Sequence, residues 1–250
     1  MSLKKLFALT LLAATAFTTV AADARTVRWA RSIDAQTLDP HAANIGPTSS
    51  LLHQIYEPLV IRGYDGALIP TLATEFRILP QTPNVWEVKL RPNVRFHSGA
   101  TLTADDVVFS FTRARAPTSD YRGLLTSITD VRRVDDLTVH IETRAPNPLL
   151  FQNLTNIFIM NRAWSEQNNA TAPQNIRERA ENHATRNANG TGPFTLASRE
   201  PDVRTVLRRN DAYWGRTAFP MEVSELIMVP VRENATRVAA LLSGEVDVVH

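Results

Sequence analysis

The chain has 250 residues, 44% of them hydrophobic and 21% charged, with a net charge of +2 and acidic and basic side chains interleaved. This composition belongs to a globular protein with room for one large core or two modest ones, and it lacks the clustered basic face that a nucleic-acid surface needs. Cysteine is absent, which excludes disulfide staples, a thiol nucleophile, thiolate metal sites and a lipid-modified N-terminal cysteine.

The first residues, MSLKKLFALTLLAATAFTTVAADA, carry Lys4 and Lys5, then an apolar run over 6–20, then the small-residue ending Ala22-Asp23-Ala24. That order reads as a cleavable secretory signal, and the run is too short and too rich in Ala and Thr for a comfortable membrane span. The mature chain is expected to begin near Arg25, in a bacterial periplasm.

Residues 26–30 alternate and predict a strand, followed by a loop through Leu38-Asp39-Pro40-His41. A helical pattern over 48–56 places Leu51, Leu52 and Ile55 on one face, with Pro58 closing it. Leu59-Val60-Ile61 predicts a short buried strand that ends at Gly63-Tyr64-Asp65-Gly66. Over 85–90, Trp86, Val88 and Leu90 face one way and Glu87 and Lys89 the other, which is a half-buried strand.

The stretch LRPNVRFHSGATLTADDVVFSF (90–111) holds a histidine, a glycine and two adjacent aspartates, as many active sites do. Thr103-Ala104-Asp105-Asp106 is also a capping box ahead of Val107, Val108 and Phe111. Both acids then fall in a first helical turn, where the dipole favours negative charge by roughly 0.3–1 kcal/mol each. His97 has no second histidine or acid at ligand spacing. The stretch therefore reads as scaffold.

Residues 131–134 and 137–141 predict a hairpin turning at Asp135-Asp136. Residues 149–160 predict a helix with Leu150, Leu154, Ile157 and Phe158 as its apolar stripe. The polar, Asn-rich segment 165–189 predicts a loop crossing between domains, with one short helix near Arg177. Gly190-Thr191-Gly192-Pro193-Phe194 opens a strand, and Val203, Thr205 and Leu207 form its antiparallel partner after Glu200-Pro201-Asp202. Residues 226–231 predict another strand; Asn234 caps a helix running to Leu242, Gly244 stops it, and 246–249 begins a further strand.

Motifs for chemistry are missing: there is no G-x-S-x-G, no H-E-x-x-H and no complete phosphate loop, since Pro193 removes a donor after Gly190-Thr191-Gly192. The six histidines (41, 53, 97, 140, 183 and 250) are scattered. No catalytic residue, metal ligand or cofactor is expected, and binding without chemistry outranks catalysis.

Several stretches, in order, carry a resemblance: Leu38-Asp39-Pro40; Ile55-Tyr56-Glu57-Pro58-Leu59-Val60; Ile69-Pro70-Thr71-Leu72-Ala73; Trp86-Glu87-Val88-Lys89-Leu90-Arg91 through Phe96-His97-Ser98-Gly99; Thr103-Ala104-Asp105-Asp106-Val107; Gly190-Thr191-Gly192-Pro193-Phe194; Arg209-Asn210 with Tyr213-Trp214; and Leu242-Ser243-Gly244-Glu245-Val246-Asp247. With them the chain resembles the extracytoplasmic solute-binding proteins of family 5, the peptide, nickel and oligopeptide binding components of ATP-binding-cassette importers.

The resemblance implies an α/β, periplasmic-binding-protein-like fold of the two-lobed type II kind, with an inserted small α+β domain. Lobe one would comprise 25–58 and 176–250, with the insertion at 59–175. Family members are longer, so the opposing lobe is expected to be missing, leaving an N-terminal fragment that binds poorly alone. The resemblance further implies a monomer that takes peptides by default (or nickel chelates, opines, glutathione or sugars) and partners an inner-membrane permease. His41 and Asn44, on the loop after the first strand, are the ligand-binding candidates it favours, followed by Phe151, Thr191 and Gly192. The rival readings are an exported hydrolase using Asp105, Asp106 and His97, or a ligand-sensing adaptor for a membrane receptor.

Overall fold

The computed structural model describes residues 25–250. The expected signal segment lies outside the described residues. A five-stranded and a four-stranded β-sheet, each with its own apolar core, organise the rest, together with a small two-stranded sheet.

The first sheet is built from both ends of the described chain. Strand β1 (Arg25–Arg31) leads through a long loop to helix α1 (Gly46–Ile55). The helix starts two residues earlier than the apolar pattern suggested, because Pro47 is preset for a first helical turn. Its buried face is Leu51, Leu52 and Ile55, as the spacing predicts.

The second sheet is antiparallel. After the short pair β2 (Val60–Arg62) and β3 (Leu68–Pro70) come β4 (Ala73–Leu79) and β5 (Thr82–Leu90). In β5, Trp86, Val88 and Leu90 are buried, and Glu87 pairs across to Arg77 at 2.7 Å. Helix α2 (Ala104–Ala114) packs over this sheet through Val107 and Phe111. The expected hairpin is strands β6 (Ile128–Asp135) and β7 (Thr138–Thr143), turned where the Asp135 carboxylate accepts from the Leu137 N–H at 2.9 Å. Spatial order is β4-β5-β7-β6.

The helix predicted over 149–160 does not form. Only a single 3₁₀ turn, Leu150–Asn153, follows Pro148; a second turn brings the Ile157 N–H onto the Leu154 carbonyl at 3.0 Å, and the chain then runs extended. Ile157 and Ile159 enter the core of the second sheet, while Phe158 and Met160 enter that of the first. Residues 157–160, buried on both sides at period two, form a strand-like connector, and a short all-apolar run of this kind fits a helical stripe equally well.

Helix α3 (Arg162–Gln167) follows, capped by the Asn161 side chain accepting from the Trp164 N–H at 2.8 Å. The region near Arg177 is a turn rather than a helix, closed by the Asn175–Ala180 bridge. Strands β8 (Phe194–Glu200) and β9 (Arg204–Arg209) pair antiparallel, as their turn predicts. Thr205 and Leu207 are buried, but Val203 stays in the exposed turn.

Strand β10 (Val223–Pro230) runs parallel to β1, and helix α4 (Asn234–Ser243) leads to β11 (Val248–Val249), also parallel to β1. The residue capping α4 is Glu233, whose side chain accepts from the Ala235 N–H, one position before the expected Asn234. Gly244 ends the helix at φ 75°, the left-handed geometry that glycine adopts without strain. The first sheet therefore runs β11-β1-β10-β9-β8, parallel at one end and antiparallel at the other.

Candidate functional site

The loop after β1 folds inward and is locked by a buried ion pair. Arg113, on α2, meets Asp39 in a two-pronged contact, with Nη1–Oδ1 and Nη2–Oδ2 both at 2.6 Å. Neither side chain reaches solvent. The same guanidinium donates to the carbonyls of Ala170 at 2.9 Å and Ala172 at 3.0 Å, so one arginine joins three segments. Burial works to raise the Asp39 carboxyl, but the Arg113 charge and the hydrogen bonds outweigh it and hold the group below the usual carboxylate range.

His41 belongs to this lock. Its Nε2–H donates to the Phe158 carbonyl at 2.9 Å, which leaves Nδ1 as the acceptor facing Arg113 Nη1 at 3.2 Å. Burial and the adjacent guanidinium push its pKa down to about 3, so it stays neutral. Both ring nitrogens are occupied and the residue is fully enclosed, which closes it to a solute in this arrangement.

Phe151 is likewise enclosed, stacked on Phe76 with ring centroids 4.3 Å apart and against Trp86 at 4.9 Å. Thr191 is buried and donates to Glu57 at 2.8 Å. Gly192 donates to the Ile55 carbonyl at 2.9 Å and accepts from His97 Nε2 at 3.1 Å. A Cβ at Gly192 would stand 2.7 Å from the Ile55 carbonyl oxygen, so the glycine permits a close backbone approach. Of the five predicted ligand residues, Asn44 alone is exposed.

The residues weighed for hydrolysis have separate occupations. Asp106 takes the Thr103 N–H at 2.9 Å, and its other oxygen takes Asn161 Nδ2 at 3.0 Å and the Arg162 N–H at 2.8 Å. It thus completes the cap of α2 and ties it to the start of α3. Asp105 points away, to Arg133 at 3.0 Å. The 97–98 loop docks on the first sheet, with the His97 N–H on the Gly190 carbonyl at 2.8 Å and the Ser98 N–H on Asn189 Oδ1 at 2.9 Å. Among the described residues no group of three or more His, Asp or Glu is placed to hold a metal ion.

Sequence reasoning missed a polar cluster where the chain crosses between the sheets. Glu57, in the Tyr56-Glu57-Pro58 crossing, is buried and accepts from Tyr213 Oη, Trp214 Nε1 and Thr191 Oγ1, each at 2.8 Å. Arg91 lies over the Trp214 ring at 4.0 Å. Burial raises the Glu57 carboxyl to about 7 even though its three donors pull the other way. Glu57 and Tyr213 also line a cavity of about 590 Å³ between the two cores, shared with His53, Ile61, Phe219 and Met221. The only advance signal was the co-occurrence of Tyr56-Glu57-Pro58 with Tyr213-Trp214, more than 150 residues apart.

At the carboxyl end of β1, Arg31 is buried with its guanidinium 5.1 Å from the centroid of Trp29, and its Nε and Nη2 have no hydrogen-bond partner among the described residues. Burial lowers its pKa, partly offset by Asp34. Ile33, two residues on, is exposed.

Residues 67–250 match the family model described as bacterial extracellular solute-binding proteins, family 5 middle. The chain belongs to that family. Among curated relatives, the periplasmic oligopeptide-binding protein OppA of Salmonella typhimurium is 25% identical over 250 residues, spanning 92% of this chain and 44% of its own length. A putative ABC transporter peptide-binding protein of Brucella ovis is 31% identical over 197 residues, 76% of this chain and 35% of that protein.

Solved family structures agree on the fold. MoaA from A. tumefacien R10, in complex with mannopinic acid, superposes with a TM-score of 0.76 at 30% identity, covering 90% of this chain and 45% of that one. DppA from Helicobacter pylori, with the peptide STSA, gives a TM-score of 0.76 at 24% identity over 89% of this chain and 46% of that one. The fold is thus the mixed α/β, type II periplasmic-binding-protein fold, and the chain spans less than half the length of these relatives.

Proposed function

We propose that this chain is part of the solute-binding component of an ATP-binding-cassette importer, which captures a peptide or similar small solute in the periplasm and passes it unchanged to a membrane permease. The observation that carries this is the family match over 67–250. On this reading residues 1–24 are a cleaved export signal, and the protein acts as a monomer without a cofactor. Residues 25–58 and 176–250 form one lobe, with 59–175 inserted into it. The separate core formed within 59–159 supports that division, with Phe158, Met160 and Ala170 joining it to the lobe.

Ligands of open α/β sheets lie outside the carboxyl ends of parallel strands. Here that edge is the end of β1 and β10, where buried Arg31 and exposed Ile33 sit. The solute rests there, and Asn44 is the candidate of the original five that remains accessible. Micromolar capture takes about 8 kcal/mol, which hinged lobes supply by enclosing the solute.

The test is native mass spectrometry of the full-length protein recovered from the periplasm of an exporting host, followed by thermal-shift assays with peptides, opines and nickel chelates. A co-purified or stabilising solute released with unchanged mass is the expected result. Chemical conversion of the solute, or no stabilisation by any of these classes, would overturn the reading.

A further inference from the structure

The inserted unit carries a feature that solute capture does not use. Three arginines converge on one surface concavity of about 480 Å³, lined by Arg115, Arg122, Leu125, Thr126, Thr129 and Arg144, with Ile128 in its floor. The concavity continues into a second one that shares Thr126 and Arg144 and adds Ser127 and Asn147. No acidic residue lines either.

Each arginine is fixed to the spot by its backbone. Arg115 is the C-terminal cap of α2, its N–H bound to the Phe111 carbonyl at 3.1 Å. Arg122 opens the 3₁₀ turn Arg122–Leu125. Arg144 directly follows β7, its N–H on the Ser127 carbonyl at 2.9 Å. Beneath them Leu125 and Ile128 are buried in the core.

Elsewhere on the same sheet exposed arginines find carboxylates. Arg77 meets Glu87 at 2.7 Å, Arg132 meets Glu142 at 3.4 Å and Arg133 meets Asp105 at 3.0 Å. Arg115, Arg122 and Arg144 have no ion pair and no side-chain hydrogen bond among the described residues. A cationic Arg115 suits the negative end of the α2 dipole, but that explains neither of the other two. Three like charges around one hollow repel one another unless an anion sits between them.

We propose that this hollow is a phosphate-group site, held by the forks of Arg115, Arg122 and Arg144. A guanidinium presents paired donors matched to an oxyanion. One carboxylate saturates one fork, whereas a tetrahedral, multiply charged phosphate offers an oxygen to each of three. The group comes either as free phosphate and its monoesters or as the headgroup of an anionic lipid.

The probe is inorganic phosphate, titrated calorimetrically into the full chain at constant ionic strength, with acetate as the comparison. Phosphate is expected to bind while acetate does not. Arg122→Gln combined with Arg144→Gln should weaken phosphate at least tenfold. Arg177→Gln combined with Arg179→Gln, an equal loss of charge at a separate turn, should leave it unchanged. Circular dichroism should match for all variants, since every substituted side chain is exposed.

Co-sedimentation with phosphatidylglycerol vesicles separates the sources. Vesicle binding that phosphate competes away and the Arg122/Arg144 variant loses supports the site with a lipid headgroup as occupant. Phosphate binding with vesicles ignored supports the site with the free ion or a monoester. Absence of phosphate binding, equal response to acetate, or an equal loss in the Arg177/Arg179 control would overturn the proposal.

Discussion

Replacing Arg113 with methionine keeps an unbranched chain of similar length but leaves Asp39 enclosed without its cation. The substitution removes both 2.6 Å contacts to Asp39 and the donors to Ala170 and Ala172. Asp39 retains the N–H groups of His41 at 3.1 Å and Gln174 at 2.8 Å, and Asn182 Nδ2 at 3.1 Å, which are neutral donors. Breaking one side of a fully buried pair costs about 3–5 kcal/mol. At roughly 2–4 °C per kcal/mol for a domain of this size, the melting temperature should fall by about 6–20 °C.

The pH dependence gives a second reading. In the native protein the Asp39 carboxyl titrates below its unfolded value, so its contribution is present above pH about 4 and is lost as pH falls through the lower folded value. In the Arg113→Met variant burial acts without the guanidinium and raises that carboxyl, so protonation relieves the penalty and the gap to wild type narrows from pH 7 towards pH 4. Asp39→Asn added to Arg113→Met should recover part of the loss. Thermal unfolding by circular dichroism across this range is the assay. A single-variant loss below about 1 kcal/mol, or a gap that widens on acidification, would refute the buried-pair argument.

Glu57→Gln should flatten part of the pH dependence of stability. The native carboxyl is raised to about 7, so its contribution is full below pH about 4.5 and is lost as pH rises through 7, with a span on the order of 3 kcal/mol; urea unfolding at pH 5 and pH 8 measures the difference between wild type and variant. Gly190→Ala would set a Cβ 2.0 Å from the Ile55 carbonyl oxygen and should destabilise by at least about 1–3 kcal/mol, read from the same titration. Phe151→Ala should lower stability by about 3–5 kcal/mol and alter the fluorescence of Trp86, its neighbour at 4.9 Å. Asp106→Ala should cost about 1–3 kcal/mol because three N–H groups lose their acceptor, whereas Asp105→Ala should stay within about 1 kcal/mol; equal losses would contradict the capping assignment.

Features set by neighbours in the chain were readable beforehand. The cap at Thr103–Asp106, the turn at Asp135, the alternation of β5 and the left-handed stop at Gly244 all depend on residues within a few positions of one another. What a side chain does at long range was not. The loop after β1 was expected to face a solute, yet His41 is consumed by Arg113 and Phe158, 72 and 117 residues away. Glu57 stood in a family motif without a role of its own, because its donors lie 134 to 157 residues downstream. The predicted helix over 149–160 failed for a related reason: the run Ile157-Phe158-Ile159-Met160 is apolar at every position because it is pressed on both sides, and only the cores it enters reveal its period.

That same segment means the unit built on the second sheet is not a detachable module. Residues 157–160 place alternate side chains into different hydrophobic interiors, like a basting thread through two layers of cloth. A protease nick or a graft boundary placed there would loosen both bodies together, so engineers exchanging the second-sheet unit between homologues should carry this strip, and the surfaces it clasps on either side, as one inseparable piece.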